Sequence, residues 1–310
     1  MNRLRPFLGI GLCSTIILVN ASGQMINRRV TPNQTATYLS YNPSTSGFDL
    51  KQSILYQLPD PALFGRGPYP VFVWTPGTWE AYFDPLSLEF VSEMAHRGFL
   101  AASVQYSNSG MTQNCTSYTQ RAQGVYDATR SSSAVGTLCA LSGANCAKGI
   151  VTAGISQGGM LAVLARNYAP QVRAAYALSV GDLSGGAPNL TACMDKQHTA
   201  IPADRLTVVT GQSDPFFGTQ TNVQNVSGYA CPDGSTQCWS PTGSGAGWYL
   251  VQDYEVTDGN ADHCYIDVGG CNDKFDPHWF PPAVSNWSLS PNLDWLATLG
   301  TKRVFSQTGQ

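Results

Sequence analysis

Short apolar runs alternate with stretches of helical period along most of this chain. Residues 71–74, Val-Phe-Val-Trp, form a continuous apolar run of the kind a strand buried on both faces requires. Asp84 then stands at a cap position and Pro85 opens a helix. Leu86, Phe90, Val91 and Met94 share one face of it, and Gly98 stops it. Residues 100–104 read as the next strand and 118–131 as the next helix. A strand over 150–153 leads into a helix over 157–168. Strands follow over 174–180, 206–210 and 248–256. A last helix covers 291–299, capped by Ser290 and stopped by Gly300. Ahead of this series, 35–41 and 50–56 suit an opening antiparallel pair. Strands that alternate with helices predict an α/β fold: a mostly parallel central sheet with helices on both faces. Ligands of such sheets bind at the carboxyl ends of the strands. No repeat, low-complexity tract or linker divides the chain, so residues 24–310 are expected to form a single domain.

The first 23 residues break the pattern. Arg3 and Arg5 precede an apolar stretch, 6–19, that is too short to span a bilayer, and Val19-Asn20-Ala21 offers small residues for cleavage. Residues 1–23 are therefore expected to be a signal peptide, and the protein to be secreted or periplasmic. Its removal takes Cys13 and leaves an even set of cysteines, which reads as a disulfide framework in an exported chain. Cys139/Cys146, Cys231/Cys238 and Cys264/Cys271 are close in sequence, which leaves Cys115 for Cys193. A metal site is the rival reading, but no C-x2-C spacing occurs. Charged residues make up only 12% of the chain and the net charge is −3, so nucleic acid and anionic membranes are not expected partners. No later segment is apolar for long enough to span a membrane, and a monomer is expected.

Chemistry enters at Gly154-Ile155-Ser156-Gln157-Gly158, a G-x-S-x-G pattern between an apolar strand and an amphipathic helix. So tight a turn needs glycine on both flanks. It lifts the Ser156 hydroxyl to the sheet edge and turns the backbone N–H of Gln157 toward a developing oxyanion. With this motif the sequence resembles the α/β-hydrolase superfamily over residues 50 to 300. The resemblance implies the order nucleophile, acid, histidine. The acid of that fold follows the seventh strand, and Gly211-Gln212-Ser213-Asp214 fits, so Asp214 is the expected acid, with Asp262 as its rival. The base follows the eighth strand. His263 is favoured there and His278 competes; His96 and His198 are out of order. The second oxyanion donor lies after the third strand, where relatives often carry His-Gly. This chain has Thr75-Pro76-Gly77-Thr78-Trp79, which points to the Thr78 N–H, with Trp79 next.

Aromatic residues gather near these loops. Trp79, Tyr82, Phe216 and Phe217 are expected to bind substrate, while Phe83, Trp279 and Phe280 lie nearby and equally suit a core. Only about 25 residues separate the strands at 180 and 206, where a large cap would enter, so the cap is expected to be minimal. The resemblance is to secreted serine carboxylesterases, cutinase-like enzymes and polyester depolymerases. It implies cleavage of an ester, small or polymeric, through an acyl-enzyme on Ser156, with no cofactor. A prolyl-peptidase type of serine peptidase is a second reading, although the chain has no room for a propeller. A non-catalytic binding module of the same fold is a third.

Overall fold

The computed structural model describes residues 31–109, 114–184 and 189–301, with the backbone of two short antiparallel strands, β1 (Ile17–Val19) and β2 (Met25–Asn27), before them. Apart from β1, the segment expected to be a signal peptide lies outside the described residues.

The core is built on a nine-stranded sheet. Its strands are β3 (Gln34–Asn42), β4 (Gly47–Gln57), β5 (Val71–Thr75), β6 (Leu100–Val104), β7 (Ile150–Ile155), β8 (Val172–Leu178), β9 (Leu206–Gly211), β10 (Gln237–Trp239) and β11 (Gly247–Val251). Their spatial order is β10-β11-β9-β8-β7-β5-β6-β4-β3. From β6 across to β11 the strands run parallel, and β3, β4 and β10 add antiparallel edges. The expected α/β fold, a mostly parallel central sheet, is borne out.

Helices cover both faces because the parallel strands are apolar on both. Val71 and Val73 of β5 enter one core, while Phe72 and Trp74 enter the other. The first core takes α3 (Cys115–Tyr126), α4 (Ala134–Cys139), α5 (Gln157–Tyr168) and α7 (Gln220–Ser227). The second takes α2 (Pro85–Ala95) and α8 (Leu289–Thr301). Two one-turn helices, α1 (Pro61–Phe64) and α6 (Thr191–Met194), lie on connections. Among the described residues, the segment from β8 to β9 holds only α6 and a 3-10 turn, so the cap is minimal. Also among them, no helix is long and apolar enough to cross a membrane.

Several boundaries differ from the sequence pattern. The helix expected over 118–131 starts at Cys115, where the Asn114 side chain accepts from the Ser117 N–H, and ends at Tyr126. The chain then turns at Asp127 into α4, which Ser133 caps. The last strand stops at Val251, because Asp253–Glu255 wind into a 3-10 turn with a capping box between Gln252 and Glu255. Asp84 precedes α2 as expected, yet its carboxylate accepts from the Ala81 N–H upstream, at 2.6 Å.

Four disulfides join the pairs suggested by spacing: Cys115–Cys193, Cys139–Cys146, Cys231–Cys238 and Cys264–Cys271. Their Cα–Cα separations run from 5.1 to 5.9 Å, ordinary for a bridge. The first spans 78 residues and each of the others 7. In the chain-entropy view the long bridge contributes roughly 4 kcal/mol and a short one roughly 2.5 kcal/mol. Replacing Cys115 and Cys193 with Ser is therefore expected to lower the urea midpoint more than replacing Cys139 and Cys146. Equal losses would mean that native-state strain outweighs loop closure.

Candidate active site

The chain leaves β5 to build β6 on one side and returns to build β7 on the other. The carboxyl ends of β5 and β7 therefore sit side by side where the winding reverses, and a crevice opens there. The last register pair is Thr75 with Gly154. This places the 76–80 loop beside the turn at Ser156.

That turn is as tight as the glycines suggested. A Cβ on Gly158 would run into the carbonyl oxygens of Thr75 and Pro76. One on Gly154 would meet the carbonyls of Gly158 and Thr75. The Thr75 hydroxyl also donates to the Gly158 carbonyl at 2.7 Å, tying β5 to the start of α5. Ser156 has φ 54° and ψ −124°, a strained conformation for a residue with a Cβ. Its N–H donates to the Leu178 carbonyl at 2.9 Å. From Gly149 to Ala165, Ser156 is the one residue that is not buried.

His263 and Asp214 come from the ends of β11 and β9. His263 Nδ1 lies 2.8 Å from Asp214 Oδ2. A carboxylate only accepts, so Nδ1 carries the hydrogen and Nε2 is left as the basic nitrogen. Asp214 is buried, and its Oδ1 accepts from the N–H groups of Phe216 (2.8 Å) and Phe217 (3.1 Å). The two loops are stitched together. Ser213 N–H donates to the Ala261 carbonyl, and Asp253 accepts from both the Ser213 hydroxyl and the Ala261 N–H. A hydrogen bond from the Gln212 side chain is the largest influence holding the Asp253 carboxyl below its usual range. The Ser179 hydroxyl donates to the His263 carbonyl at 2.7 Å, tying the histidine loop to β8.

A cavity of about 480 Å³ connects these parts. Ser156, His263, Thr78, Trp79, Phe216 and Phe217 line it. Trp79 is 69% exposed and Phe216 54%, so both rings stand at the rim, while Phe217 is buried. Phe216 meets the His263 ring edge-on at 5.3 Å between centroids. The Gln157 side chain is buried beneath the turn, and its backbone N–H opens α5.

Other candidates lie elsewhere. Tyr82 does not line the cavity: its N–H donates to Gln105, and its half-buried ring packs on Phe83 and the second core. Trp279 is fully buried against Phe90 and Phe275, with Phe280 stacked on Phe275. His278 has a 61% exposed side chain and faces Asp276 and Thr257 outside the cavity. Asp262 accepts from the Cys264 N–H.

Four carboxylates that the sequence pattern did not assign to the site share the cavity: Glu80, Asp84, Asp267 and Asp273. Among the described residues, no Lys or Arg lines it. Burial pushes Glu80 up to about 7, although the Gly77 N–H opposes the shift. Burial also raises Asp267 and Asp273 above the usual range, with Asp84 adding to the rise at Asp273. Two clues were legible: Glu80 lies two residues past Thr78, and Asp267 lies inside the short disulfide loop beside His263.

No protein-family model and no curated protein matches the chain. Solved structures do match, at low identity. One is a hypothetical protein of Pseudomonas aeruginosa, with 18% identity over 62% of this chain and 52% of that one, TM-score 0.37. Another is a 2,6-dihydroxy-pseudo-oxynicotine hydrolase, with 15% identity over 59% of this chain and 54% of that one, TM-score 0.41. The chain thus spans about half the length of these two proteins. A third is described as an α/β serine hydrolase without a lid, from Xanthomonas campestris. It is 12% identical over 64% of this chain and 78% of that one, TM-score 0.38.

Proposed function

We propose that this chain is an exported serine hydrolase that cleaves carboxylic esters, with Ser156 as nucleophile, His263 as base and Asp214 as its orienting acid. One observation carries the reading. The only unburied residue of the β7–α5 turn, held in a strained conformation, faces the same cavity as a histidine bonded to a buried carboxylate. His263 Nε2 takes the Ser156 proton as Oγ attacks the ester carbonyl. The backbone N–H groups of Gln157 and Thr78 receive the oxyanion. The protonated imidazole then gives its proton to the leaving alcohol. Water, activated by the same nitrogen, releases the acyl group. Trp79 and Phe216 flank the mouth and suit an apolar or aryl group, and the minimal cap leaves room for a bulky or polymeric ester. The four disulfides suit an oxidising compartment.

The carboxylates set a charge preference. A cavity lined, among the described residues, by acidic groups and no Lys or Arg attracts cationic esters and repels anionic ones. Glu80 becomes neutral as the pH falls through about 7, so the preference is greatest above that pH and relaxes below it.

Ser156→Ala is expected to abolish fluorophosphonate labelling and cut turnover by roughly 10^4-fold or more, with the circular dichroism spectrum unchanged. His263→Ala should fall to a similar level, and His278→Ala should stay within a few-fold of the wild type. Substantial turnover by the Ser156 variant would end the assignment. Anilides of the same acyl group should react far more slowly than esters; the opposite ranking would favour a peptidase. Activity should not jump when a short-chain ester forms an interface. Between size-matched esters, one bearing a quaternary ammonium should exceed one bearing a carboxylate in kcat/KM by about tenfold at pH 8 and low salt. The ratio should shrink at pH 6 and in high salt, and a ratio of one at pH 8 would refute the charge preference.

A further inference from the structure

The oxyanion loop has no secondary structure of its own, yet it holds an unfavourable conformation: Trp79 has φ 68°. Hydrogen bonds from Tyr106 and Asn108 outside the loop, and one to Glu80 within it, account for its shape. The Tyr106 hydroxyl donates to the Pro76 carbonyl at 2.8 Å. The Asn108 side-chain nitrogen donates to the carbonyls of Gly77 (2.6 Å) and Glu80 (2.7 Å), so one amide bridges the two ends of the turn. The Glu80 carboxylate reaches back to accept from the Gly77 N–H at 2.6 Å. Asn108 is buried and is itself oriented by Gln105, whose Nε2 donates to Asn108 Oδ1 at 3.1 Å.

The consequence for Thr78 follows from peptide geometry. In a trans peptide the C=O and N–H point in opposite directions. Asn108 holds the Gly77 carbonyl, so the N–H of the same peptide, that of Thr78, points away from Asn108. Thr78 lines the cavity, and among the described residues its N–H meets no protein acceptor. A preorganised donor of this kind stabilises a developing charge without reorganising during the reaction.

We propose that Asn108 is the positioning residue of the oxyanion site: its side-chain amide, supported by the Glu80 carboxylate, fixes the Gly77–Thr78 peptide so that the Thr78 N–H faces the tetrahedral oxyanion. This rests on the ester-hydrolase reading. Asn108 never touches substrate. It acts on the transition state alone, where the carbonyl oxygen becomes charged, so its loss weakens catalysis more than binding. Aspartate at this position has the same shape but cannot donate, and it sets a carboxylate against two carbonyl oxygens.

The test compares wild type, Asn108→Ala, Asn108→Asp, Glu80→Ala and Glu80→Gln, each assayed well below its thermal midpoint. The readouts are kcat and KM for one neutral aryl ester and inhibition by a phenylboronic acid, whose adduct with serine places an oxygen where the oxyanion forms. Both Asn108 variants are expected to lose 10- to 100-fold in kcat with KM within about twofold, and boronate affinity should fall in parallel. Glu80→Gln, which keeps an acceptor for the Gly77 N–H, should recover most of what Glu80→Ala loses. Unchanged kcat in Asn108→Asp overturns the proposal. So does a loss of thermal stability with kcat and boronate affinity intact, because that is the mark of a merely structural residue. If Asn108→Ala does not fold, the Asn108→Asp variant and the Glu80 pair decide the matter. If the wild type itself resists fluorophosphonate labelling, the serine-hydrolase reading fails, and the proposal falls with it for that separate reason.

Discussion

The site depends on how closely the end of β5 approaches the turn between β7 and α5. Backbone meets backbone there, with the carbonyls of Thr75 and Pro76 lying where a side chain on Gly158 would have to stand. The parallel pairing of β5 and β7 sets the distance, and the Thr75 hydroxyl bonded to the Gly158 carbonyl holds it. In the proposed mechanism the two oxyanion donors come from two segments, Gln157 on one and Thr78 on the other. They converge only if those segments pack without intervening atoms. The strain at Ser156 belongs to the same constraint, since a relaxed φ would drop the hydroxyl away from the crevice. Filled cores on both faces of the sheet leave the turn no direction in which to relax.

The histidine is positioned differently. Its loop has little regular structure, and one close approach anchors it to β9: the carbonyls of Ala261 and Asp262 lie where a side chain on Gly211 would stand. It is held by accumulated polar contacts: Asp214 on the ring, Ser179 on the backbone, Asp253 across to the acid loop, and the Cys264–Cys271 bridge directly after it. Each contact restrains only part of the motion. The contacts from Asp214, Ser179 and Asp253 come from just past the ends of three neighbouring strands, β9, β8 and β11, and so the rigidity of the sheet is passed to the imidazole.

What the sequence made legible follows from this division. The strands were visible because burial on both faces forces continuous apolar runs, as at 71–74 and 150–153. The Ser156 turn was visible because the close approach demands glycine, which leaves a pattern. Gly211-Gln212-Ser213-Asp214 pointed to the carboxylate that meets His263 for a similar reason: Gly211 packs against the carbonyls of Ala261 and Asp262. Tyr82 packs on the second core, and an aromatic residue near a site is written in the same letters as one facing a core. Asn108 and Asp253 were not legible. Their partners are backbone atoms of other segments, and such contacts impose no spacing or periodicity on the chain. The short helices α6 and α7 were missed because four or eight residues carry too little period to stand out.

The acidic lining raises a physical question, because the proposed reaction develops negative charge on an oxyanion inside it. Carboxylates near that point repel the oxyanion. They also attract the imidazolium that His263 becomes, and the two charges appear in the same step. The wall therefore acts on a nearly neutral pair, and its effect on the barrier is largely self-cancelling. Its effect on a charged substrate has no such compensation, because the substrate brings its charge from water. The direct cost to the oxyanion falls on the donors nearest to it, which are backbone N–H groups whose strength does not change with pH. This explains why the Thr78 peptide must be held as firmly as the bonds from Asn108 and Glu80 hold it. In a cavity whose field opposes the forming charge, a donor free to swing would turn away when it was most needed.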